Sequence, residues 1–147
     1  MALYGHEISD ELNVWEANLG RYCKMDKGVD FVGREALAEI QKSGGPAKRL
    51  VGLAMVERGI GRDGYAVFSV DGSEKIGEIT SGSPGPFVKK NIALAYVPVS
   101  YVEPGTEVAV EVRGQMVKAV VVATPFYKRA RTGAAVAVAP VITAPLS

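Results

Sequence analysis

Ser81 and Ser83 are the first candidates for covalent chemistry, because they sit in the constrained run Thr80-Ser-Gly-Ser-Pro-Gly-Pro86. A serine nucleophile needs a base, and the sequence holds a single histidine, His6, far off along the chain. A hydrolytic triad would have to recruit it across the whole fold. The run therefore reads as structural: Thr80, Ser81 and Gly82 shape a loop by local backbone hydrogen bonds, and Pro84 and Pro86 stiffen it. Lys89 and Lys90 follow at once. Paired ammonium groups suit a phosphate or the acidic tail of a ligand, although such pairs more often mark a solvated surface. Lys128-Arg129-Ala-Arg131 is a second basic cluster, too short to specify nucleic acid.

Three further features fit structure better than chemistry. Gly59-Ile-Gly-Arg-Asp-Gly64 matches the pattern of a dinucleotide loop, which requires a helix N-terminus behind it to meet the pyrophosphate. Tyr65-Ala-Val-Phe-Ser-Val70 follows instead, with the character of a strand, so the glycines read as a turn. Cys23 has no base beside it and reads as a small apolar residue. Trp15 offers a flat face for a heterocycle, but a lone tryptophan is more commonly packing material. Glu7, Asp10, Glu11 and Glu16 are dense enough to position a cationic ligand, with solvated loop charges as the default.

Composition narrows the function classes. The 147 residues are 48% hydrophobic and 22% charged, an ordinary globular balance for one domain with an appendage. A net charge of +1 argues against binding nucleic acid through bulk electrostatics. One cysteine and one histidine leave neither a disulfide framework nor a Cys/His metal site. The start, Met-Ala-Leu-Tyr-Gly-His-Glu7, lacks the basic and apolar regions of a signal peptide, and no run approaches a membrane span. The expectation is a soluble cytoplasmic protein with no membrane partner.

The elements that would position these residues are mostly strands. Residues 1–29 hold no sustained period, with Leu12, Val14, Trp15, Leu19, Tyr22 and Met25 scattered among polar groups. Phe31, Ala36, Leu37 and Ile40 share one helical face, so a helix is expected over about 31–42, stopped by Gly44-Gly45-Pro46. Strand patterns then follow at 49–56, 65–70, 75–80, 91–97, 108–113 and 117–122, with hairpin signals at Asp71-Gly72 and Gly114. Six short strands with close turns predict a closed antiparallel barrel or a sandwich. Residues 130–147, rich in Ala, Val and Pro, read as a tail. On the residues alone the chain is a small β domain with a helical appendage and no self-sufficient catalytic set.

Several ordered motifs also resemble the folate-dependent aminomethyltransferases, the T proteins of the glycine cleavage system. They are Leu3-Tyr-Gly-His-Glu-Ile8, Trp15-Glu-Ala-Asn-Leu-Gly20, Asp30-Phe-Val-Gly-Arg-Glu-Ala-Leu37, Arg49-Leu-Val-Gly-Leu53, Thr80-Ser-Gly82, Lys90-Asn-Ile-Ala-Leu-Ala-Tyr-Val-Pro98, Pro104-Gly-Thr106 and Pro125-Phe-Tyr-Lys-Arg129. The resemblance implies a mainly β, Greek-key-like barrel of about six strands over 46–129, with 1–45 as the last part of a folate-binding body. It implies transfer of a one-carbon unit from an aminomethyl group, carried on the lipoyl arm of the H protein, to tetrahydrofolate with release of ammonia. The family's Arg-Leu-Glu-Ala signature and its aspartate near the pterin fall before the first residue here, so no catalytic residue or metal ligand is assigned and the chain alone is expected to be inactive. Folate contacts carry over only to Arg21 and Tyr22, where many relatives have Trp at the position of Arg21. Val14 in place of Pro and Gly85-Pro86 in place of Ser-Pro are further departures. The expected partners are the preceding portion of the enzyme and the lipoylated H protein. A homodimer through the apolar residues of 1–45, such as Trp15, Leu19 and Phe31, is an alternative cover for that surface. A non-catalytic docking barrel and part of a sister folate-dependent demethylase are the competing functional readings.

Overall fold

The computed structural model describes residues 2–128, so the tail expected over 130–147 lies outside the described residues. Six strands form a closed antiparallel barrel: β1 Lys48–Met55, β2 Ala66–Ser69, β3 Lys75–Gly85, β4 Lys90–Pro98, β5 Glu107–Val112 and β6 Gln115–Val122. Their order around the barrel is β1-β4-β3-β2-β5-β6, closed by the β1–β6 seam. The barrel alternative is thus realised over the sandwich. A closed sheet has no free edge, which suits strands this rich in valine.

The interior is filled by alternate residues of each strand. Val51, Leu53 and Met55 point inward from β1, Ala93, Ala95 and Val97 from β4, and Val117, Ala119 and Val121 from β6. Alanines opposite branched side chains let a narrow barrel close without voids. On β3 the inward residues are Ile76 and Ile79, spaced by three. A register shift opposite Val67/Phe68 of β2 explains this, because it inserts Ile76 as an extra residue. A second shift lies between Ile79 and Ser81: Thr80 points outward by alternation after Ile79, and the bulge turns Ser81, the partner of Leu94, to the same outer face.

Helix α1 spans Arg34–Lys42, three residues shorter at its start than the periodicity predicts. Gly33 immediately before it has φ of 87°, a left-handed conformation that a helix starting at Phe31 could not contain. The loop expected after Thr80 is also shorter. β3 continues through Ser81, Gly82, Ser83 and Pro84 to Gly85, paired with β4 from Leu94 back to Lys90. Pro84 is tolerated because β2 pairs with β3 only as far as Glu78, so no second ladder needs its missing N–H.

That uncovered flank of β3 is where the glycine run lies. The Gly64 N–H donates to the Ile79 carbonyl at 2.9 Å, and the Asn91 side chain donates to the Gly59 carbonyl at 2.7 Å. Between these ties Gly61 is buried, and a Cβ on Gly82 would be driven into the Gly61 carbonyl oxygen. Main chain crosses main chain there, and only glycine fits. Gly82→Ala should therefore lower stability by about 2–3 kcal/mol in urea unfolding. An unchanged midpoint would show that the 59–64 loop does not rest on β3.

Candidate functional site

The serine-rich run does meet a carboxylate, but not as part of a nucleophilic set. The turns of the N-terminal segment place Glu7 on the outside of the barrel, where only 2% of it is exposed. The Thr80 hydroxyl donates to Glu7 Oε1 at 2.8 Å, and the Leu3 N–H donates to Glu7 Oε2 at 3.0 Å. His6 turns away, with Nδ1 3.4 Å from the Asp63 carboxylate. No histidine–serine hydrogen bond occurs among the described residues, so Ser81 and Ser83 have no base there. The Thr80 hydrogen bonds depart from the local ones expected from the sequence: they reach Glu7 and, at 3.2 Å, the Leu94 carbonyl.

Glu7 corrects the reading of the N-terminal carboxylates as solvated charges. Burial works to raise its pKa, but the side chains of Ser81 and Thr80, the Leu3 N–H and nearby His6 outweigh it, holding the carboxyl below its ordinary value. Tyr96 of β4 completes the contact. Its hydroxyl donates to the Glu7 carbonyl at 2.7 Å, and burial with the neighbouring Glu16 and Glu7 carboxylates pushes the phenol up to about 12. Glu16 is half-buried and accepts from the Asn13 N–H at 3.0 Å, whereas Asp10 and Glu11 are exposed.

Arg21 and Tyr22 lie together on an exposed turn of 3₁₀ helix, Gly20–Tyr22. The Arg21 guanidinium sits 4.7 Å from the Tyr22 ring centroid and donates to its hydroxyl at 2.7 Å. The pair offers a charged group and a flat face to solvent. Trp15 is not part of that face. Its ring packs against Gly20 and its indole N–H donates to the Leu37 carbonyl at 3.3 Å, tying the turn to α1. Cys23 is half-buried with Sγ 3.9 Å from Met25 Sδ. Among the described residues no three His, Cys, Asp or Glu side chains converge on a metal site.

Lys89 and Lys90 line an open groove of about 460 Å³ with Arg58, Pro84 and Asn91. Lys89 has φ of 53°, a left-handed conformation unusual for a side chain of this kind. Arg58 was missed from the sequence, since only barrel closure brings the β1–β2 loop to the β3–β4 turn. Of the second basic cluster, Lys128 is exposed and the remainder lies outside the described residues.

Residues 48–128 match the glycine cleavage T-protein C-terminal barrel domain. The chain belongs to the glycine cleavage T-protein family. It is 58% identical over 129 residues to the aminomethyltransferase of Acidobacterium capsulatum, covering 88% of this chain and 34% of that protein. It is 60% identical over 129 residues to that of Koribacter versatilis, covering 88% and 33%. The crystal structure of glycine cleavage system aminomethyltransferase T from Bartonella henselae superimposes with a TM-score of 0.79 at 32% identity, over 86% of this chain and 35% of that one. The chain thus spans about a third of the length of the relatives it matches. Within this T-protein barrel the most organised polar contact is the seat of Glu7, not a reacting centre.

The sign of the Glu7 shift sets a pH dependence. A carboxyl held below its unfolded value, near 4.3 for glutamate, stabilises the seated segment above that pH and loses its effect as pH falls through the lower folded value. The amide resonance of Leu3, which donates to Glu7, should titrate with an apparent pKa below the value of an unperturbed glutamate. A midpoint above that value would contradict the arrangement.

Proposed function

We propose that this chain is the C-terminal part of a tetrahydrofolate-dependent aminomethyltransferase of glycine cleavage. The reaction moves a one-carbon unit from a lipoyl-bound aminomethyl group on the H protein to tetrahydrofolate and releases ammonia. The observation that carries this reading is the match of residues 48–128 to the T-protein barrel, with the aminomethyltransferases of Acidobacterium capsulatum and Koribacter versatilis among the relatives.

Tetrahydrofolate supplies the amines that accept the one-carbon unit. The residues here fit one wall of its site. Arg21 is exposed and makes no ion pair with a carboxylate among the described residues, so its charge is available to the glutamate end of a folate. Tyr22 presents an aromatic face beside it. Holding an amine against an electrophile is a proximity task, worth many orders of magnitude only when both reactants are fixed. A single wall cannot fix both, and the remaining two-thirds of the relatives' length is where we place the other.

The same reading gives the exposed apolar residues a purpose. Leu3, Tyr4, Tyr22, Val29 and Val32 are all largely solvent-facing. We propose the preceding portion of the enzyme as their cover, with a second copy of this chain as the alternative. A cytoplasmic setting accords with a lone unpaired cysteine. A docking barrel without chemistry is the second reading, favoured by the open basic groove of Arg58, Lys89 and Lys90.

Turnover separates these. With aminomethylated H protein and tetrahydrofolate, the isolated chain should release no ammonia above background. Mixing it with the first two-thirds of the Acidobacterium capsulatum relative should restore release. Ammonia release by the isolated chain would overturn the division of labour, and failure of the mixture would favour the docking reading.

A further inference from the structure

Closure of the barrel leaves one stretch of strand incompletely paired. β6 runs alongside β1 only from Gly52 to Met55, while β4 pairs with β1 from Lys48 onward. Leu50 therefore has main-chain groups on a flank with no strand beside it. The N-terminal segment supplies their partners: the Leu50 N–H donates to the Glu16 carbonyl at 2.9 Å, and its carbonyl accepts from Asn18 Nδ2 at 2.6 Å. Glu7 fastens the other end to the barrel through Thr80 and Tyr96, while the Leu3 N–H holds its carboxylate within the segment.

The hydrogen-bonded ties are few, and the buried apolar residues on this outer face are limited to Ala17, Leu50 and Tyr96. Of residues 2–19 only Glu7 and Ala17 are buried, and no residue of the segment belongs to the barrel's interior cluster. Releasing the segment breaks no strand pairing. Thr80 has one hydroxyl proton and two acceptors, so without Glu7 it keeps the Leu94 carbonyl. Tyr96, Leu50 and the carboxylate of Glu7 would all meet water on an outer face, and the interior would stay dry.

We infer that residues 2–19 form a strap that unseats from the barrel as a unit while the barrel stays closed, with Glu7 as its fastening. Unseating uncovers the outer face of β1 and β4 at Leu50 and Tyr96. The strap precedes Arg21 and Tyr22 directly, so its seat sets where that pair stands relative to the barrel. Regions held by polar ties with little apolar burial are the ones that open below the global unfolding energy.

Hydrogen exchange on the intact chain at neutral pH tests this without any use of turnover, so its outcome is independent of the proposed reaction. The amides of Glu7, Ile8 and Leu19, bonded within the strap, and the Leu50 amide, bonded to it, should exchange together and about tenfold or more faster than those of β5 and the rest of β1. Glu7→Ala should speed the strap by a further tenfold or so and leave β5 and β6 unchanged. Asn18→Ala, which removes an exposed side chain, should do the same at the Leu50 end and guards against a misfolded first variant. Strap and barrel amides exchanging at one rate, or both variants leaving the strap unchanged, would overturn the inference.

Discussion

A buried or half-buried main-chain group must find a partner, and the six strands of this barrel leave Leu50 without one on its outer flank. Much of the arrangement outside the barrel answers that constraint. The N-terminal segment comes to Leu50 with Glu16 and Asn18, and once there it can rest on Tyr96 and Thr80 through Glu7. The bulge at Thr80 is part of the same solution, because a regular strand would have turned Ser81 inward, whereas here it stands beside Thr80 on the outer face toward Glu7. Helix α1 enters one step further out, joined through Trp15 and the Leu37 carbonyl.

The strands were legible because their signal is local. Alternating Val, Ala and Leu between turn residues marks β1, β4, β5 and β6 within a residue or two of their observed ends. β3 was harder. Its inward isoleucines are three apart, and its second half is Ser, Gly and Pro, which carry the composition of a loop. Only pairing with β4 on one side, and the glycine loop on the other, makes a strand of it. Long-range pairing of this kind has no trace in a single sequence window.

The site residues divide in the same way. Arg21 and Tyr22 are proposed from family resemblance alone, and their mutual stacking follows from adjacency on a tight turn. The role of Glu7 was not found, because a glutamate between His6 and Ile8 looks solvated until β3 and β4 are placed under it. Arg58 joins Lys89 and Lys90 for a like reason: the three meet only at one end of a closed barrel. The glycine pattern at 59–64 shows the opposite case. Its context argued against a nucleotide loop, and the structure gives those glycines a different task, close passage over Gly82.

Under the proposed function this T-protein chain contributes a surface: a closed barrel that carries a polar seat, an exposed Arg21–Tyr22 pair and a basic groove on its outside. We propose that such a surface is one wall of a folate site and not a whole one. Titrating tetrahydrofolate into the isolated chain, with Trp15 as the single indole reporter, tests this most directly. The account predicts no saturable quenching below about millimolar folate, because one wall leaves most of the ligand in water. Saturation at about micromolar concentration would contradict it, since affinity of that order requires a site already enclosed by this chain alone.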